Sequence, residues 1–245
     1  MKIFAFIPSR YGSTRFPGKP MAMIAGKPMI QHACGCAQNC PDISEVYVVT
    51  DDERIYNCVE GFGGKAVMTK KNHPSGTDRI AEAVEILGLD DEDIIVNIQG
   101  DQPVFKPSVI SEMVKPLIKN KAIPMSTLKY RISDPAEINN SNIVKVVTDH
   151  NDFALYFSRW AIPFYREKSS TQKYYKHLGF YAYKKDFILE FNRLPGGTLE
   201  NSEKLEQLRA IENGYRIKVV ESDSDSIEVD APEDIRKVEE LLNKK

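Results

Sequence analysis

The stretch IFAFIPSRYGSTRFPGKP, residues 3–20, decides the fold of this chain. It opens with five apolar residues, as a strand buried on both faces does, and it continues into a loop rich in glycine, proline and cations. In an open α/β sheet, ligands bind beyond the carboxyl ends of the strands, which is where such a loop lies. We therefore expect a buried strand followed by a ligand-binding loop.

The same strand-then-helix order repeats through the first half of the chain. Apolar, β-branched runs alternate there with stretches of helical periodicity. This alternation predicts an α/β fold, with a doubly wound and mainly parallel sheet that carries helices on both faces. The expected strands cover residues 3–7, 46–50, 65–68 and 94–99, and the expected helices cover 28–40, 53–62, 77–87 and 108–119.

A smaller antiparallel β subdomain is predicted within about residues 123–185. The strand-like runs there are separated by loops rather than by long helices, which is typical of antiparallel strands. No repeat or linker divides the chain, so we expect residues 1–245 to form a single domain. The expected strands are 125–131, 143–149, 154–157, 178–183 and 217–221, and two further helices are expected at 203–213 and from Pro232 onward.

The composition excludes several classes of partner. The chain has 33 Lys and Arg against 35 Asp and Glu, a net charge of −2, which removes the general electrostatic case for binding nucleic acid or an anionic membrane. No apolar run approaches the roughly 20 residues that span a bilayer. The five apolar residues after Lys2 are too few for the core of a signal peptide. We expect a cytoplasmic protein without membrane association.

The four cysteines do not form a disulfide framework, and reduced thiols are expected. His32, Cys36 and Cys40 are spaced four residues apart, so a helix would place them along one face, as a zinc site could. A paired Cys-x-x-Cys and a nearby fourth ligand are both lacking. We favour ordinary packing or surface positions for these three side chains.

The loop after the first strand has the chemistry of an anion-binding site. Arg10, Arg15 and Lys19 supply charge-assisted donors, while Gly12 and Gly18 let backbone N–H groups approach an anion closely. The loop matches neither GxxxxGKS/T nor GxGxxG, the two standard nucleotide fingerprints. We interpret it as a triphosphate-binding loop, the alternative being a solvated basic loop.

A second candidate element follows the buried run at 94–98. Asp101 stands at the carboxyl end of this central strand, where a carboxylate is placed to hold Mg²⁺ together with phosphate oxygens. The alternative is an ordinary aspartate in a Gly-Asp turn. The acidic stretch at 228–234 offers another carboxylate, the alternative being a helix N-terminus with favourable acids. Both elements are therefore candidates for metal ligation.

Seven blocks, spread in order over nearly the whole chain, carry a family resemblance. They are PSRYGSTRFPGKP (8–20), HPSGTDR (73–79), NIQGDQP (97–103), ALYFSR (154–159), YKHLGFYAY (175–183), EKLEQLRAIENGYRIK (203–218) and VDAPEDI (229–235). Together they resemble the CMP-Kdo synthetases, the 3-deoxy-manno-octulosonate (Kdo) cytidylyltransferases of Gram-negative bacteria. The likeness runs in register from Ile3 to about Leu242.

The resemblance implies a Mg²⁺-dependent transfer of the cytidylyl group from CTP to the anomeric hydroxyl of an acidic eight-carbon sugar, with release of pyrophosphate. The product would be a CMP-sugar for lipopolysaccharide or capsule assembly. The family has a fold of the nucleotidyltransferase type and is usually dimeric, so a homodimer is expected. Phosphoryl-type transfer relies on positioning and on cations at the developing charge, so no protein nucleophile is required.

The resemblance also implies a role for individual residues. Catalysis would depend on Arg10, Lys19, Asp101 and Asp230, with the two aspartates as ligands of Mg²⁺. CTP would be bound by Ser9, Arg10, Lys19, Ser75, Arg79 and Gln99. The sugar would be bound by Arg159, His177, Tyr181, Glu206 and Gln207, with the antiparallel subdomain contributing to sugar binding and dimerisation. Without the resemblance these five side chains have plainer interpretations, as packed, surface or solvated residues.

Departures from the commoner family pattern bear on the identity of the sugar. Gln102 replaces the glutamate that follows the metal-binding aspartate in most CMP-Kdo synthetases, the first loop reads RFPGKP, and the tail reads SIEVDAPED. With VEGFGGK (59–65), these features resemble the branch that activates 8-amino-3,8-dideoxy-manno-octulosonate, in which an amine replaces the C8 hydroxyl. We favour this sugar over ordinary Kdo. The remaining alternatives are a cytidylyltransferase for another acidic sugar and a nucleotide-binding homologue that has lost activity.

Overall fold

The computed structural model describes residues 1–12, 16–167 and 172–242. None of the helices in this part of the chain is long and apolar enough to cross a bilayer. The strands are β1 (Ile3–Ser9), β2 (Met23–Ile24), β3 (Lys27–Pro28), β4 (Glu45–Thr50), β5 (Lys65–Met68), β6 (Ile94–Asn97), β7 (Met125–Arg131), β8 (Lys145–Thr148), β9 (Ala154–Ser158), β10 (Tyr175–Lys184) and β11 (Ile217–Glu221). The helices are α1 (Met29–Gln38), α2 (Glu53–Gly61), α3 (Gly76–Leu87), α4 (Ser108–Lys119), α5 (Pro135–Ile138), α6 (Lys185–Phe191), α7 (Thr198–Glu203), α8 (Leu208–Glu212) and α9 (Asp234–Leu242), with a short 3₁₀ turn at Lys19–Met21.

Nine of the strands in the described residues form one mixed sheet, seven of them in the order β11-β7-β10-β6-β1-β4-β5, with β8 and β9 attached at β10. β5, β4, β1 and β6 run parallel to one another, and β11 runs parallel to β7. β10 lies antiparallel between β6 and β7, while β8 and β9 form an antiparallel ribbon beside it. The other two strands, β2 and β3, pair as a separate antiparallel hairpin.

Apolar clusters cover both faces of the sheet, as a doubly wound arrangement requires. One cluster packs under α1, α2 and α4 and contains the buried Ala33 and Met113. The other packs under α3, α6 and α8 and contains the buried Ile80. Phe6 and Ile7, successive residues of β1, belong to opposite clusters, so burial on both faces explains the unbroken apolar run. The predicted fold class is confirmed.

The antiparallel strands predicted within residues 123–185 do not form a sheet of their own. β7, β8, β9 and β10 all belong to the nine-stranded sheet, which the β8–β9 ribbon joins through the pairing of β8 with β10. β10 is also longer than expected, with a register shift between Leu178 and Tyr181. The function assigned to this region, sugar binding and dimerisation, stays a prediction.

The helix predicted at 203–213 forms only as α8, at Leu208–Glu212, and a separate helix, α7, ends where the prediction begins. Lys204 takes a left-handed conformation (φ 55°), which an α-helix of L-residues does not continue, and α7 therefore ends there. The terminal helix α9 begins at Asp234 instead of Pro232. Both differences arise at helix ends, where local backbone conformation decides the boundary.

Helix α6 is not expected from the sequence. β10 runs into this helix at Lys184 without a glycine or proline to mark the change. Phe187, Ile188 and Phe191 are buried and have the spacing of one helix face, so a helical signal is present. The helix is short and follows a strand directly, so hydrophobic periodicity alone does not separate it from that strand.

The zinc alternative for His32, Cys36 and Cys40 is not supported by the structure. Among the described residues these side chains do not converge as ligands of one ion. All four cysteines are free, and burial raises the pKa of the Cys34 thiol to about 12. The three candidate side chains contact separate partners: His32 Nε2 the Ile24 carbonyl at 2.8 Å, Cys36 Sγ the Pro103 carbonyl at 3.5 Å, and Cys40 Sγ the Ser111 hydroxyl at 3.6 Å.

The carboxyl ends of β1 and β6 meet at one edge of the sheet, because the two strands are parallel neighbours. The turn after β6 approaches β1 so closely that it favours a glycine. A Cβ at Gly100 would lie 3.0 Å from Ser9 Oγ and 3.2 Å from the Pro8 carbonyl oxygen. This close approach places the loop after β1 beside Asp101.

Candidate active site

A cavity of about 300 Å³ opens at this edge of the sheet. Its walls come from the loop after β1, the turn after β6, the first turn of α3 and the segment before α9. The structure thus brings together elements that are far apart in the sequence. The lining includes all the residues that were predicted to bind CTP and metal: Ser9, Arg10, Lys19, Ser75, Arg79, Gln99, Asp101 and Asp230.

Lys19 is directed into the cavity by a turn that begins at Gly18. Gly18 has a left-handed backbone (φ 70°), its N–H donates to the Tyr11 carbonyl at 2.9 Å, and a Cβ there would lie 3.2 Å from the Tyr11 ring. Lys19 Nζ then donates to Asp101 Oδ2 at 2.8 Å and to the Val229 carbonyl at 3.0 Å. The ammonium therefore lies at the acidic end of the cavity.

The rest of the basic loop is only partly described. Ser9 and Arg10 line the cavity directly after β1. Arg15, the third predicted cation of the loop, lies outside the described residues. The side chain of Lys19 is only 16% exposed, so the solvated-loop alternative does not hold for this residue.

Asp101, Glu228 and Asp230 bring three carboxylates together, with one oxygen from each within 4.8 Å of the others. The segment before α9 is fixed by the N–H of Val229, which donates to the Asp101 carbonyl at 2.8 Å, and by burial of the Val229 side chain. In an extended chain the residues on either side of a buried residue point to the same side. The sequence analysis did not select Glu228 as a ligand, although the alternation around Val229 is a signal for it.

The carboxylate cluster fits a hard divalent cation. Mg²⁺ is usually held by one or two carboxylates together with phosphate oxygens and water. Lys19 Nζ, 2.8 Å from Asp101 Oδ2 and 3.8 Å from Asp230 Oδ1, offsets part of the negative charge. Within the described ranges this is the only group of three or more His, Cys, Asp and Glu side chains that converges in this way.

The first turn of α3 forms another wall of the cavity. Ser75 caps the helix: its Oγ accepts from the Asp78 N–H at 3.2 Å and donates to the Asp78 carboxylate at 2.6 Å. Arg79 is 5% exposed, and its guanidinium donates to Thr69 Oγ1 at 2.6 Å and pairs with Asp51 at 3.2 Å. These contacts hold the wall in one conformation.

Four of the five predicted sugar-binding residues lie near one another. His177 and Tyr181 belong to β10, and their ring centroids are 5.3 Å apart. Burial raises the pKa of the Tyr181 hydroxyl, and the nearby negative charge of Glu206 adds to this shift. Gln207 follows Glu206 in the chain and is buried. The group therefore combines an imidazole, a phenol, a carboxylate and an amide.

Arg159, the fifth predicted sugar-binding residue, bonds to Glu203 and Ser141. Its Nε donates to the Glu203 carbonyl at 2.8 Å and its Nη1 to the Ser141 carbonyl at 3.0 Å. Its backbone N–H donates to the Glu203 carboxylate at 2.9 Å. The residue thus ties the end of β9 to α7, and its role in sugar binding stays a prediction.

His177 is a neutral imidazole. Its Nε2 lies 2.8 Å from Thr127 Oγ1, and the Thr127 hydroxyl donates its proton to the Phe180 carbonyl at 2.6 Å. Nε2 must therefore carry a proton and donate it, which leaves Nδ1 as an acceptor. Burial lowers the pKa of His177 to about 3, in agreement with the neutral form. The ring can orient a ligand but does not supply positive charge.

Several buried polar atoms near these groups have no hydrogen-bond partner among the described residues. Leaving such an atom unpaired costs about 1–3 kcal/mol, so a ligand that pairs with these atoms would offset that cost. Gln102, next to Asp101 and 4% exposed, is one that the sequence analysis did not assign. His73, paired with Glu82, also lines the cavity and was not selected. The unpaired atoms on residues in or next to the predicted site are Ser9 Oγ, Gln102 Oε1, Glu206 Oε1 and Gln207 Nε2; Glu112 Oε2 and Ser224 Oγ, on other residues, are also unpaired.

Comparison with known proteins gives similarities over nearly the whole chain. A family model described as cytidylyltransferase matches residues 4–222. The 3-deoxy-manno-octulosonate cytidylyltransferase of Syntrophus aciditrophicus (strain SB) is 53% identical over 241 residues, covering 98% of this chain and 97% of that protein. The 8-amino-3,8-dideoxy-manno-octulosonate cytidylyltransferase of Shewanella halifaxensis (strain HAW-EB4) is 55% identical over 243 residues, covering 99% of each.

A solved structure agrees with these sequence matches. The structure of CMP:2-keto-3-deoxy-manno-octonic acid synthetase in complex with CTP matches with a TM-score of 0.93 and 39% identity, covering 100% of this chain and 99% of that one. The family resemblance of the seven sequence blocks is therefore confirmed. The chain belongs to the cytidylyltransferase family of nucleotidyltransferase enzymes, within its CMP-Kdo synthetase group.

Proposed function

We propose that this chain transfers the cytidylyl group from CTP to the anomeric hydroxyl of an acidic eight-carbon sugar, either 8-amino-3,8-dideoxy-manno-octulosonate or Kdo. The hydroxyl oxygen attacks the α-phosphorus and loses its proton to solvent, the bond from that phosphorus to the bridging oxygen of the β-phosphate breaks, and pyrophosphate leaves. The observation that carries the proposal is the meeting of Lys19 with the carboxylates of Asp101, Glu228 and Asp230 in the cavity. The names of the relatives support it.

Arg10 and Lys19 bind the triphosphate in this proposal. Their positive charges stabilise the charge that develops on the phosphate oxygens and on the leaving pyrophosphate. Ser75, Arg79 and Gln99 line the same cavity and recognise the cytidine. No side chain acts as a nucleophile, because phosphoryl-type transfer depends on positioning and charge.

Asp101, Glu228 and Asp230 would hold a divalent cation. We propose Mg²⁺, because carboxylate and phosphate oxygens are the ligands that this hard ion prefers. When bound, it would supply positive charge at the transferring phosphorus and lower the pKa of the attacking hydroxyl. Asp101 is held in place for this task by its backbone bond to Val229, and Lys19 reduces the mutual repulsion of the carboxylates.

The sugar is bound by His177, Tyr181, Glu206 and Gln207 in this proposal, together with Arg159. We favour the 8-amino sugar over Kdo because Gln102 and the segments RFPGKP and SIEVDAPED resemble that branch. The identities of 53% and 55% to one relative of each kind do not separate the two sugars. The preference therefore depends on a direct comparison of both substrates.

The proposal is tested by incubating the purified chain with CTP, MgCl₂ and each sugar in turn while pyrophosphate release is followed. We expect release with both sugars and a higher kcat/KM for the 8-amino sugar. A kcat/KM for Kdo equal to or above that value reverses the preference and leaves the reaction intact. No release with either sugar, or release with another acidic sugar alone, overturns the substrate assignment. CTP binding without any turnover favours the inactive homologue.

We also propose a homodimer formed through β9 and the segment that follows it. Trp160 and Phe164 are 80% and 89% exposed, and Leu155 of β9 is 59% exposed. Large apolar side chains exposed together on one segment indicate an interface. Sedimentation should give twice the chain mass of 27.8 kDa, and Trp160→Ser with Phe164→Ser should give the monomer. Met23→Ser, 57% exposed on the β2–β3 hairpin, is the control that stays dimeric.

The activated sugar would enter lipopolysaccharide assembly, and we propose the cytoplasm, where CTP is available, as the site of the reaction. Expression of the chain in a Gram-negative strain that lacks its own Kdo cytidylyltransferase tests this assignment. Restored growth with complete lipopolysaccharide is expected. Failure to restore growth, with active enzyme present in the extract, contradicts it.

A further inference from the structure

Thr77 connects the nucleotide wall of the cavity to the predicted sugar-binding group. It is the second residue of α3, directly after Ser75 and Gly76, and it is 2% exposed. Its Oγ1 donates to Glu206 Oε2 at 2.6 Å, across 129 positions of sequence. Of these two residues, the family resemblance implies a role only for Glu206, and Thr77 is not among the residues expected from the sequence.

Glu206 is held with one oxygen bonded and the other unpaired. Oε2 accepts the Thr77 hydrogen bond, whereas Oε1 is buried and has no hydrogen-bond partner among the described residues. The Ser75 hydroxyl also lies beside this carboxyl, but it donates its proton to Asp78 at 2.6 Å. The nearest cation to Oε1 is Arg209, whose Nη2 lies 4.0 Å away. That guanidinium is already committed to Glu200, with bonds of 2.6 Å and 2.9 Å. Protein contacts therefore fix one side of the carboxylate and leave the other side for a ligand.

We propose that Thr77 is a positioning residue that orients Glu206, so that Oε1 accepts a hydrogen bond from a hydroxyl or ammonium group of the acceptor sugar. The inference rests on the proposed function, which places Glu206 on the sugar side. A carboxylate that rotates freely loses conformational freedom when it binds a sugar hydroxyl. A carboxylate already held in the binding orientation loses less. Thr77 thus favours sugar binding through its hydrogen bond to Glu206 and does not itself contact either substrate.

Two substitutions that differ in one hydroxyl test this role. Thr77→Val keeps the branched shape and removes the donor, whereas Thr77→Ser keeps the donor. We expect Thr77→Val to raise the KM for the sugar about tenfold, as loss of one hydrogen bond to a charged group does, and to leave the KM for CTP within about twofold. Thr77→Ser should remain within about twofold of the wild type for both substrates. Thr77→Ala serves as a second donor-free variant if Thr77→Val does not fold.

A double substitution separates positioning from plain structural support. If Thr77 acts through Glu206, Thr77→Val introduced into a Glu206→Ala background should change the KM for the sugar by less than about twofold. A second increase of about tenfold in that background overturns the proposal. An equal rise in the KM for CTP in Thr77→Val also overturns it, because the residue would then support the α3 wall as a whole.

The outcome is distinguishable from failure of the proposed function. If the wild-type chain releases no pyrophosphate with either sugar, the substrate assignment fails before Thr77 is tested. If the wild type turns over and Thr77→Val, folded by circular dichroism, keeps the wild-type KM for the sugar, the positioning role alone is wrong. Selective loss of sugar affinity, restored in Thr77→Ser, supports it.

Discussion

Lys19 Nζ lies 2.8 Å from Asp101 Oδ2, although 82 positions of sequence separate the two residues. The contact joins the basic loop after β1 to the acidic turn after β6. The same ammonium lies 3.8 Å from Asp230 Oδ1, so it meets carboxylates from two distant segments. The groups needed to bind phosphate and those able to bind a metal therefore adjoin one another in a single cavity.

Asp101→Asn and Asp230→Asn should each lower kcat on the order of 10²-fold or more and weaken CTP binding far less, because they remove charge stabilisation that acts mainly in the transition state. Turnover at saturating CTP and Mg²⁺ is the measurement. Asp91→Asn is the control, since Asp91 is 85% exposed beside Lys185 and should keep wild-type turnover. Near-normal turnover in either active-site variant would defeat the metal assignment.

Lys19→Ala should raise the KM for CTP and lower kcat, because an ammonium close to the phosphates acts in both the ground state and the transition state. Lys19→Arg should keep only part of the wild-type activity, because the planar guanidinium of arginine and the compact ammonium of lysine differ in geometry. Steady-state kinetics with varied CTP measures both constants. Lys27→Ala, at an exposed position of β3, should behave as the wild type. If Lys19→Ala leaves both constants unchanged, Lys19 does not act on the phosphates.

Gly18→Ala should raise the KM for CTP, because Gly18, which precedes Lys19, has a φ of 70° and a Cβ there would press on the Tyr11 ring. Gly26→Ala is a matched control, with a φ of 79° and nothing within 4 Å of the added Cβ. Both variants should lose roughly 1–2 kcal/mol of unfolding free energy from the left-handed conformation. CTP titration and urea unfolding distinguish the two effects. Equal KM values in both variants would show that the turn does not position Lys19.

His177 should not titrate in the physiological range, because burial lowers its pKa to about 3. Between about pH 6.5 and pH 3 the unfolded chain binds a proton at this position and the folded chain does not. The free energy of unfolding should therefore fall, as pH decreases from 7 to 4, more steeply in the wild type than in His177→Gln. An NMR titration of the His177 ring with a midpoint near 6.5 would contradict this.

The strand-and-helix alternation of the first half was readable from the sequence because each element there carries its own pattern. Phe6 and Ile7 face opposite apolar clusters, so β1 appears as an unbroken apolar run. α6 was missed because it continues from β10 without a breaking residue. The split between α7 and α8 was missed because a left-handed Lys204 has no signature in composition or periodicity.

The residues of the candidate site also fall into two kinds, those that the sequence indicates and those that only the structure brings together. The cations of the first loop and the acids at 228–234 were visible as charges in a sequence. Gln102 and Thr77 were not selected, since their importance depends on what lies around them: Gln102 Oε1 has no partner among the described residues, and Thr77 bonds to Glu206. Glu228 belongs to the acidic stretch, but only the structure shows that its carboxylate meets those of Asp101 and Asp230. Contacts of this kind depend on the packing of distant segments.

By itself the sequence determined the α/β class, the basic loop and the family, because these depend on local patterns and on blocks of residues in order. Only the tertiary structure decided which side chains meet. Strand order places β6 next to β1, and this adjacency brings Asp101 to Lys19, while the packing of α3 brings Thr77 to Glu206. Burial then decided protonation, as in His177, because the loss of solvent around a charge depends on surroundings that no single segment contains.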